Sequence, residues 1–253
     1  MAQLSVAQAA ERLDVKVQRV HQLIADGSLR AERIGRQWVV DDADLARLDR
    51  RPSGRPLSAK SAWVLALLAG DSNMSYQSVA RISPADRSKA RTRLRELLDE
   101  SEELASGSRR GRASAPEDMI AKKLRLLLQS RAERMSFKVS PRDLEDLRAD
   151  PRVVLAGVSL PASRIASGDI VEGYVAADEL EAVVEEFLLS ESGHSEANVV
   201  LHVPSQSVPT DWVNPDNWLV LAADLAEHHR PREHSRAAEV VLEAARHVGA
   251  GAA

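Results

Sequence analysis

The side chains with the most to do chemically lie in KVQRVHQ, residues 16–22, and in RIGRQ, residues 33–37. Lys16, Gln18, Arg19, His21 and Gln22 carry the donors and acceptors that hydrogen-bond base edges in a duplex groove. Arg33, Arg36 and Gln37 suit phosphate oxygens or a minor groove. On a helical period Val17, Val20, Leu23 and Ile24 form one buried stripe. Gln18, Arg19 and Gln22 then point outward, with Lys16 at the helix start and His21 at the edge. A short helix bearing such a face matches the geometry that enters a major groove.

Other constellations carry less. His228, His229 and His234 stand near Glu227 and Glu233, but they straddle Pro231 and lack metal-ligand spacing on one helix. They read as a solvated helix junction, and no metal or cofactor is expected. The carboxylates of DELEAVVEE, residues 178–186, fit one exposed helix face without a paired acid and base. The sequence holds no phosphate-cradling glycine loop, dinucleotide fingerprint or nucleophile elbow. Trp63, Trp212 and Trp218 read as core or interface anchors. An enzyme is not expected.

The elements that must position residues 16–37 can be read from their flanks. Ser5 and Gln8 make a capping box for a first helix carrying Val6, Ala9, Ala10 and Leu13. Asp14-Val15 is a tight turn into the second helix. LRAERI and QWVV then pair as a hairpin through Gly35-Arg36, with Trp38 packing inward beneath the helices. DDADLARL, capped by Asp41 or Asp42, supplies a third helix.

At 253 residues the chain is long enough for two or three compact units. It has no cysteine, which excludes disulfides and thiolate metal sites. No stretch reaches the ~20 apolar residues of a membrane span, and the N-terminus lacks a basic-then-apolar signal, so a cytoplasmic location is expected. The net charge of −4 conceals a polarity: residues 1–150 carry 28 Lys+Arg against 22 Asp+Glu, and residues 151–253 carry 6 against 16. Such asymmetry fits a polyanion-facing front and a differently employed rear.

Three breaks divide the chain: RRPSGRP (50–56), SGSRRGRAS (106–114) and VPSQSVPTDWVNP (203–215), the last read as a surface connection. The expected domains are 1–50, 56–105 and 114–253. In the middle one LSAKSAWVLALLAG is apolar on most faces, as a buried helix would be. SPADRSKARTRLRELL opens with Ser83 as N-cap and Pro84 at the first position, and buries Ala90, Leu94, Leu97 and Leu98. Arg87, Arg91 and Arg95 run along one flank of that stripe as further candidate phosphate contacts, with Lys89 and Arg93 along the other. Beyond it, a capping box at Ser114–Glu117 opens a helix with Ile120, Leu124, Leu127 and Leu128 on one side. RMSFKV, SPRDLEDLRAD, RVVLAGVS, DIVEGYV, AADELEAVVEEFLL and ANVVLHV then alternate as strand, helix, strand, strand, helix and strand. The expected fold class is therefore multidomain, mainly α with α+β. It comprises a winged helix-turn-helix, a helical middle domain and a C-terminal split β-α-β-β-α-β domain with two trailing helices.

Residues Ser5, Ala9, Ala10, Leu13, Val15, Val20, Ile24, Gly27, Leu29, Arg33, Gly35, Trp38 and Leu45 follow the pattern of the excisionase and MerR-type winged helix-turn-helix. Over about 45 residues the chain closely resembles that family, which implies double-stranded DNA as partner. The rest is similar to AbiEi-type antitoxins through LSAKSAWVLALLAG, the S-P-A-D-R-S-K-A-R-x-R-L segment and D-L-A-E-x-x-x-P-R-E-x-x-R-A-A at 224–238. That resemblance implies an autorepressor of a toxin–antitoxin pair, with a nucleotidyltransferase toxin as second partner. An excisionase-like recombination directionality factor or stand-alone regulator is the alternative, and an adaptor that needs no DNA is a third reading.

Overall fold

The computed structural model describes residues 3–13, 15–25, 29, 31–34, 37–41, 56–70, 81–107, 115–192, 196–228 and 230–250. The third N-terminal helix expected at DDADLARL, the Gly35-Arg36 turn and Ser114 lie outside them. The chain divides into two compact units, one formed by Met1–Gly54 and the other by nearly all the remainder.

The first unit follows its capping and apolar periodicity. Strand β1 (Gln3–Ser5) runs directly into helix α1 (Val6–Arg12), and Ser5 Oγ accepts from Gln8 N at 3.3 Å while Gln8 Oε1 accepts from Ser5 N at 2.9 Å. This is the expected capping box, which satisfies two orphan backbone donors at once. After the turn come helix α2 (Val17–Ala25) and strands β2 (Ala31–Ile34) and β3 (Gln37–Asp41). The sheet order is β1-β3-β2, all antiparallel. The hairpin was legible in the sequence; β1 was not, because three residues are too few to show a strand period. Ala9, Ala10, Leu13, Val20, Leu29 and Val40 are buried together.

In the second unit helices α3 (Ala59–Ala69), α4 (Pro84–Ala105) and α5 (Pro116–Leu128) precede strand β4 (Ala132–Lys138). Helix α6 (Leu144–Ala149) and strands β5 (Val154–Leu155) and β6 (Val171–Tyr174) follow. Helix α7 (Leu180–Glu186), strands β7 (Ser190–Glu191) and β8 (Val199–Pro204), and helices α8 (Trp218–Ala226) and α9 (Pro231–Ala250) complete it. Residues expected as separate domains, 56–105 and 114–253, fall in this single unit. The reason is one shared core: Trp63 and Leu65 of α3, Leu97 of α4, Leu124 of α5, Leu219 of α8 and Val241 of α9 are all fully buried in the same cluster. Helix α3, apolar on most faces, could not be stable without such cover.

Several local expectations are corrected. Helix α5 begins after Ala115, which caps it without a side-chain hydrogen bond, so the start is shifted from the expected capping box. The connection after β8 is no surface loop throughout, since Val208 and Trp212 are buried in the core. The expected strands and helices appear in order, but β7 is added between α7 and β8, and the strand expected in RVVLAGVS shrinks to Val154–Leu155. The sheet runs β5-β6-β8-β4-β7, with β6 and β8 adjacent and parallel. The unit β6-α7-β8 is therefore not split by an intervening strand, whereas β4 and β5 are separated by β8 and β6. Adjacency brings Glu172 of β6 to 2.8 Å from His202 of β8, so that two buried polar groups pair across neighbouring strands.

Candidate nucleic-acid interface

The candidate site is built on α1, the turn and α2. Leu13 N donates to Ala9 O and Val15 N to Ala10 O, each at 3.0 Å, which closes α1 and sets the entry of α2. Leu29 N then donates to Leu23 O at 2.9 Å, fastening the chain that leaves α2. Val20 is fully buried on the inward face, and Leu23 and Ile24 are half-buried. Lys16, Gln18 and His21 are exposed, and Gln18 and His21 share one helix face at i,i+3. Arg19 and Gln22 lie on the same helix.

Val17 departs from expectation: it was assigned to the buried stripe yet is 45% exposed. As the first residue of α2 it lies ahead of the turn that packs on α1, so helical periodicity overstates its burial. Trp38 was expected to pack inward beneath the helices. It is instead half-buried and outside the first unit's core cluster, and the Arg33 guanidinium lies over its ring, 6.0 Å from the centroid. Arg33 and Trp38 face each other across β2 and β3, so the strand register makes this contact. A cation over an indole face is attracted to it, which holds the exposed Arg33 in a defined place. Gln37 opens β3, and Arg36 lies outside the described residues.

In the second unit Ser83 Oγ accepts from Asp86 N at 3.1 Å, the expected cap of α4. Ala90, Leu97 and Leu98 face the core, as expected, and Leu94 is half-buried. Arg91 and Arg95 are exposed and Arg87 is half-buried, with Lys89 exposed and Arg93 half-buried on the opposite flank.

The second unit also holds polar groups that sequence reasoning did not single out. Glu172, fully buried on β6, places Oε1 2.8 Å from His202 Nε2 and Oε2 2.9 Å from His228 Nε2, and Oε2 accepts from Val158 N at 2.8 Å. Burial disfavours its charged form, but His228 and His202 outweigh that and hold the carboxyl well below the usual range. Beside it Arg131 donates to Asp224 Oδ1, Glu227 Oε1 and the Tyr174 hydroxyl, while Tyr174 itself donates to Asp224 Oδ1 at 2.9 Å. The Tyr174 ring stacks on His202 at 4.9 Å, and Trp63 Nε1 donates to Arg131 O at 2.8 Å. One continuous network thus ties together α3, β6, β8, α8 and the turn at Gln129–Arg131 that leads into β4.

The motif at 224–238 is spent on this interior. Asp224 and Glu227 hold Arg131, and Arg236 donates to the carbonyls of Ser163 and Ala162 at 3.1 and 3.3 Å. Two of the histidines expected at a solvated junction are also drawn in: His228 contacts Glu172, and His234 Nδ1 lies 2.7 Å from Asp118 Oδ1, while His229 lies outside the described residues. A usable signal existed. Glu172 in VEGYV, His202 in VVLHV and Asp224 in LVLAADLA are single polar residues inside apolar runs, which can be buried only if paired. With Glu172, His202 and Asp224 all fully buried, this arrangement fastens elements together.

No described helix is long and apolar enough to cross a membrane. A family model described as a helix-turn-helix domain matches residues 4–48, so the N-terminal unit is a helix-turn-helix domain. No curated protein and no solved structure matches the chain.

Proposed function

We propose that this chain is a sequence-specific DNA-binding transcription regulator without catalytic activity. The observation that carries the reading is the exposed Gln18 and His21 on the second helix of a matched helix-turn-helix domain, with exposed Lys16 just ahead of it. Lys16, Gln18, Arg19, His21 and Gln22 face the major groove, and Arg33, Arg36 and Gln37 hold phosphates or the minor groove. The net charge of −4 does not oppose this, because binding depends on the local patch. Fluorescence anisotropy with the DNA just upstream of its own gene, against a non-specific duplex, tests it. A preference of at least ~10³-fold supports a specific regulator, and equal weak binding overturns it in favour of an adaptor.

The finer reading is an autorepressor that counters a nucleotidyltransferase toxin. It rests on the resemblance of residues 57–70, 83–94 and 224–238 to AbiEi-type antitoxins. The burial of Asp224, Glu233 and Arg236 weakens its strongest element, because a motif needed to hold the fold does not by itself name a partner. Co-expression with a neighbouring toxin of that class, scored by growth rescue, tests it. A recombination directionality factor, marked by a neighbouring integrase gene, is the alternative.

A further inference from the structure

Beyond its first turn, helix α4 has its charges sorted by sign. Asp86 complements the N-terminus, but the rest of the first half carries Arg87, Lys89, Arg91, Arg93 and Arg95, and the second half Glu96, Asp99, Glu100, Glu102 and Glu103. Cations are disfavoured near a helix N-terminus and anions near a C-terminus, by roughly 0.3–1 kcal/mol each at the ends. Arg87, Arg91 and Arg95 follow each other at i,i+4, where like charges repel by about 0.2–0.5 kcal/mol per pair. Nothing in the second unit relieves this: none of the five cations makes an ion pair among the described residues, whereas Glu100 of the acidic half is paired with Lys123. A face kept merely for solubility would mix its signs, or order them with the dipole.

The helix is also a rigid platform. Ser83 caps its start, and Ala90, Leu97, Leu98, Ser101 and Leu104 are buried along its inner side. The three arginines of one flank are therefore held in a row with a spacing of roughly 6 Å, four residues of helical rise. A rigid row of uncompensated guanidinium groups is complementary to a regular row of phosphates, to which Arg can donate in pairs.

We propose that Arg87, Arg91 and Arg95 form a second DNA contact on the second unit, taking backbone phosphates of the duplex whose bases the helix-turn-helix reads. The inference rests on the DNA-binding reading and deepens it. Two contacts carried on one chain raise apparent affinity without any added base recognition. The arginine row supplies affinity and salt dependence, and the first unit supplies sequence choice.

The test uses the full chain and its triple variant Arg87→Gln/Arg91→Gln/Arg95→Gln. Affinity is measured by anisotropy from about 50 to 200 mM salt, on a duplex of the DNA upstream of its own gene and on a non-specific duplex of equal length. Three lost phosphate contacts should flatten the slope of log affinity against log salt by about 2.7 on both duplexes, with the preference ratio retained. An unchanged slope on both overturns the proposal and leaves the row to an acidic protein, while the helix-turn-helix reading stands if the preference is present. No binding to either duplex by the full chain overturns both. A flattened slope with no preference in either protein supports the arginine row and sinks the base-reading role instead. Far-UV circular dichroism controls for folding; should the triple variant unfold, Arg91→Gln/Arg95→Gln, both at exposed positions, should flatten the slope by about 1.8.

Discussion

Gly157 is the seat of the Glu172 carboxylate. A Cβ built on Gly157 would lie 2.7 Å from Glu172 Oε1 and closer still to Oε2, and Gly157 sits at φ +49, where side chains are rarely tolerated. The absent side chain at one position makes room for the charge at the other. From there Glu172 reaches His202 on the neighbouring strand and His228 beyond the end of α8.

Gly157→Ala should therefore cost more than backbone strain alone. Gly107 provides the control, with φ +69 and nothing within 4 Å of a built Cβ. Gly107→Ala is expected to lose about 1 kcal/mol from strain, and Gly157→Ala at least about 2–3 kcal/mol more, from strain plus displacement of a buried ion-paired group. Urea unfolding of both variants measures the difference; equal losses would show that the carboxylate relaxes freely.

The same carboxylate sets an acid limit. Its folded value lies well below its usual one, against the pull of burial, because of His228 and His202. Glu227, buried beside Arg131, is lowered in the same sense. A depressed carboxyl contributes stability above its unfolded value of ~4.3, and that stability is lost as pH falls toward the folded value. Unfolding free energy should thus drop steeply below about pH 4, and Glu172→Gln should start lower while falling less steeply. Parallel curves for the two proteins would remove Glu172 from the acid response.

Leu188 invites a stabilising change. It occupies the left-handed position that ends α7, at φ +50, with Leu188 N donating to Glu185 O at 3.3 Å and Leu189 N to Val184 O at 2.9 Å. This is a Schellman ending, where glycine is favoured, and the leucine side chain is 82% exposed. Leu188→Gly should raise stability by about 0.4–1 kcal/mol, read as a higher unfolding midpoint in urea. A fall would mean that the side chain makes contacts of its own.

The two sides of the helix-turn-helix should respond differently to truncation. Arg19→Ala on α2 is expected to lower DNA affinity by ~1–3 kcal/mol and to relax preference at one base position. Arg33→Ala, which removes the cation held over Trp38, should weaken all sequences alike and flatten the salt slope by about 1. Binding titrations over a set of single-base operator variants separate the two, and identical profiles would refute the division of labour.

Much of the architecture can be read from the chain because local physics is stated locally. Ser5 with Gln8 and Ser83 before Pro84 announce helix starts through groups only three residues apart. The run AWVLALLA declares a helix that must be surrounded, and the alternation after residue 132 declares its strands. The helix-turn-helix is legible for the same reason, since its capping, turn and strands all lie within 45 matched residues.

Long-range pairing decided the rest. Arg131 meets Asp224 and Glu227 across 93 and 96 residues, and Glu172 meets His228 across 56. No spacing rule spans such separations; only the approach of Asp224, Glu227 and His228, at the end of α8, to Tyr174, His202 and Glu172 makes them buried partners. The same packing merged two expected domains into one, because α3 is covered by α5 and α8 as well as by α4, and Asn217 and Trp218 donate to its carbonyls from the far end of the chain. The sequence by itself determined most of the helices and the longer strands, though not β1 or β7, and where a nucleic-acid-reading face could lie. The tertiary structure alone decided which strands are neighbours and which charges are buried. Burial is a property of distant chain segments brought together, and a charge survives it only beside its partner.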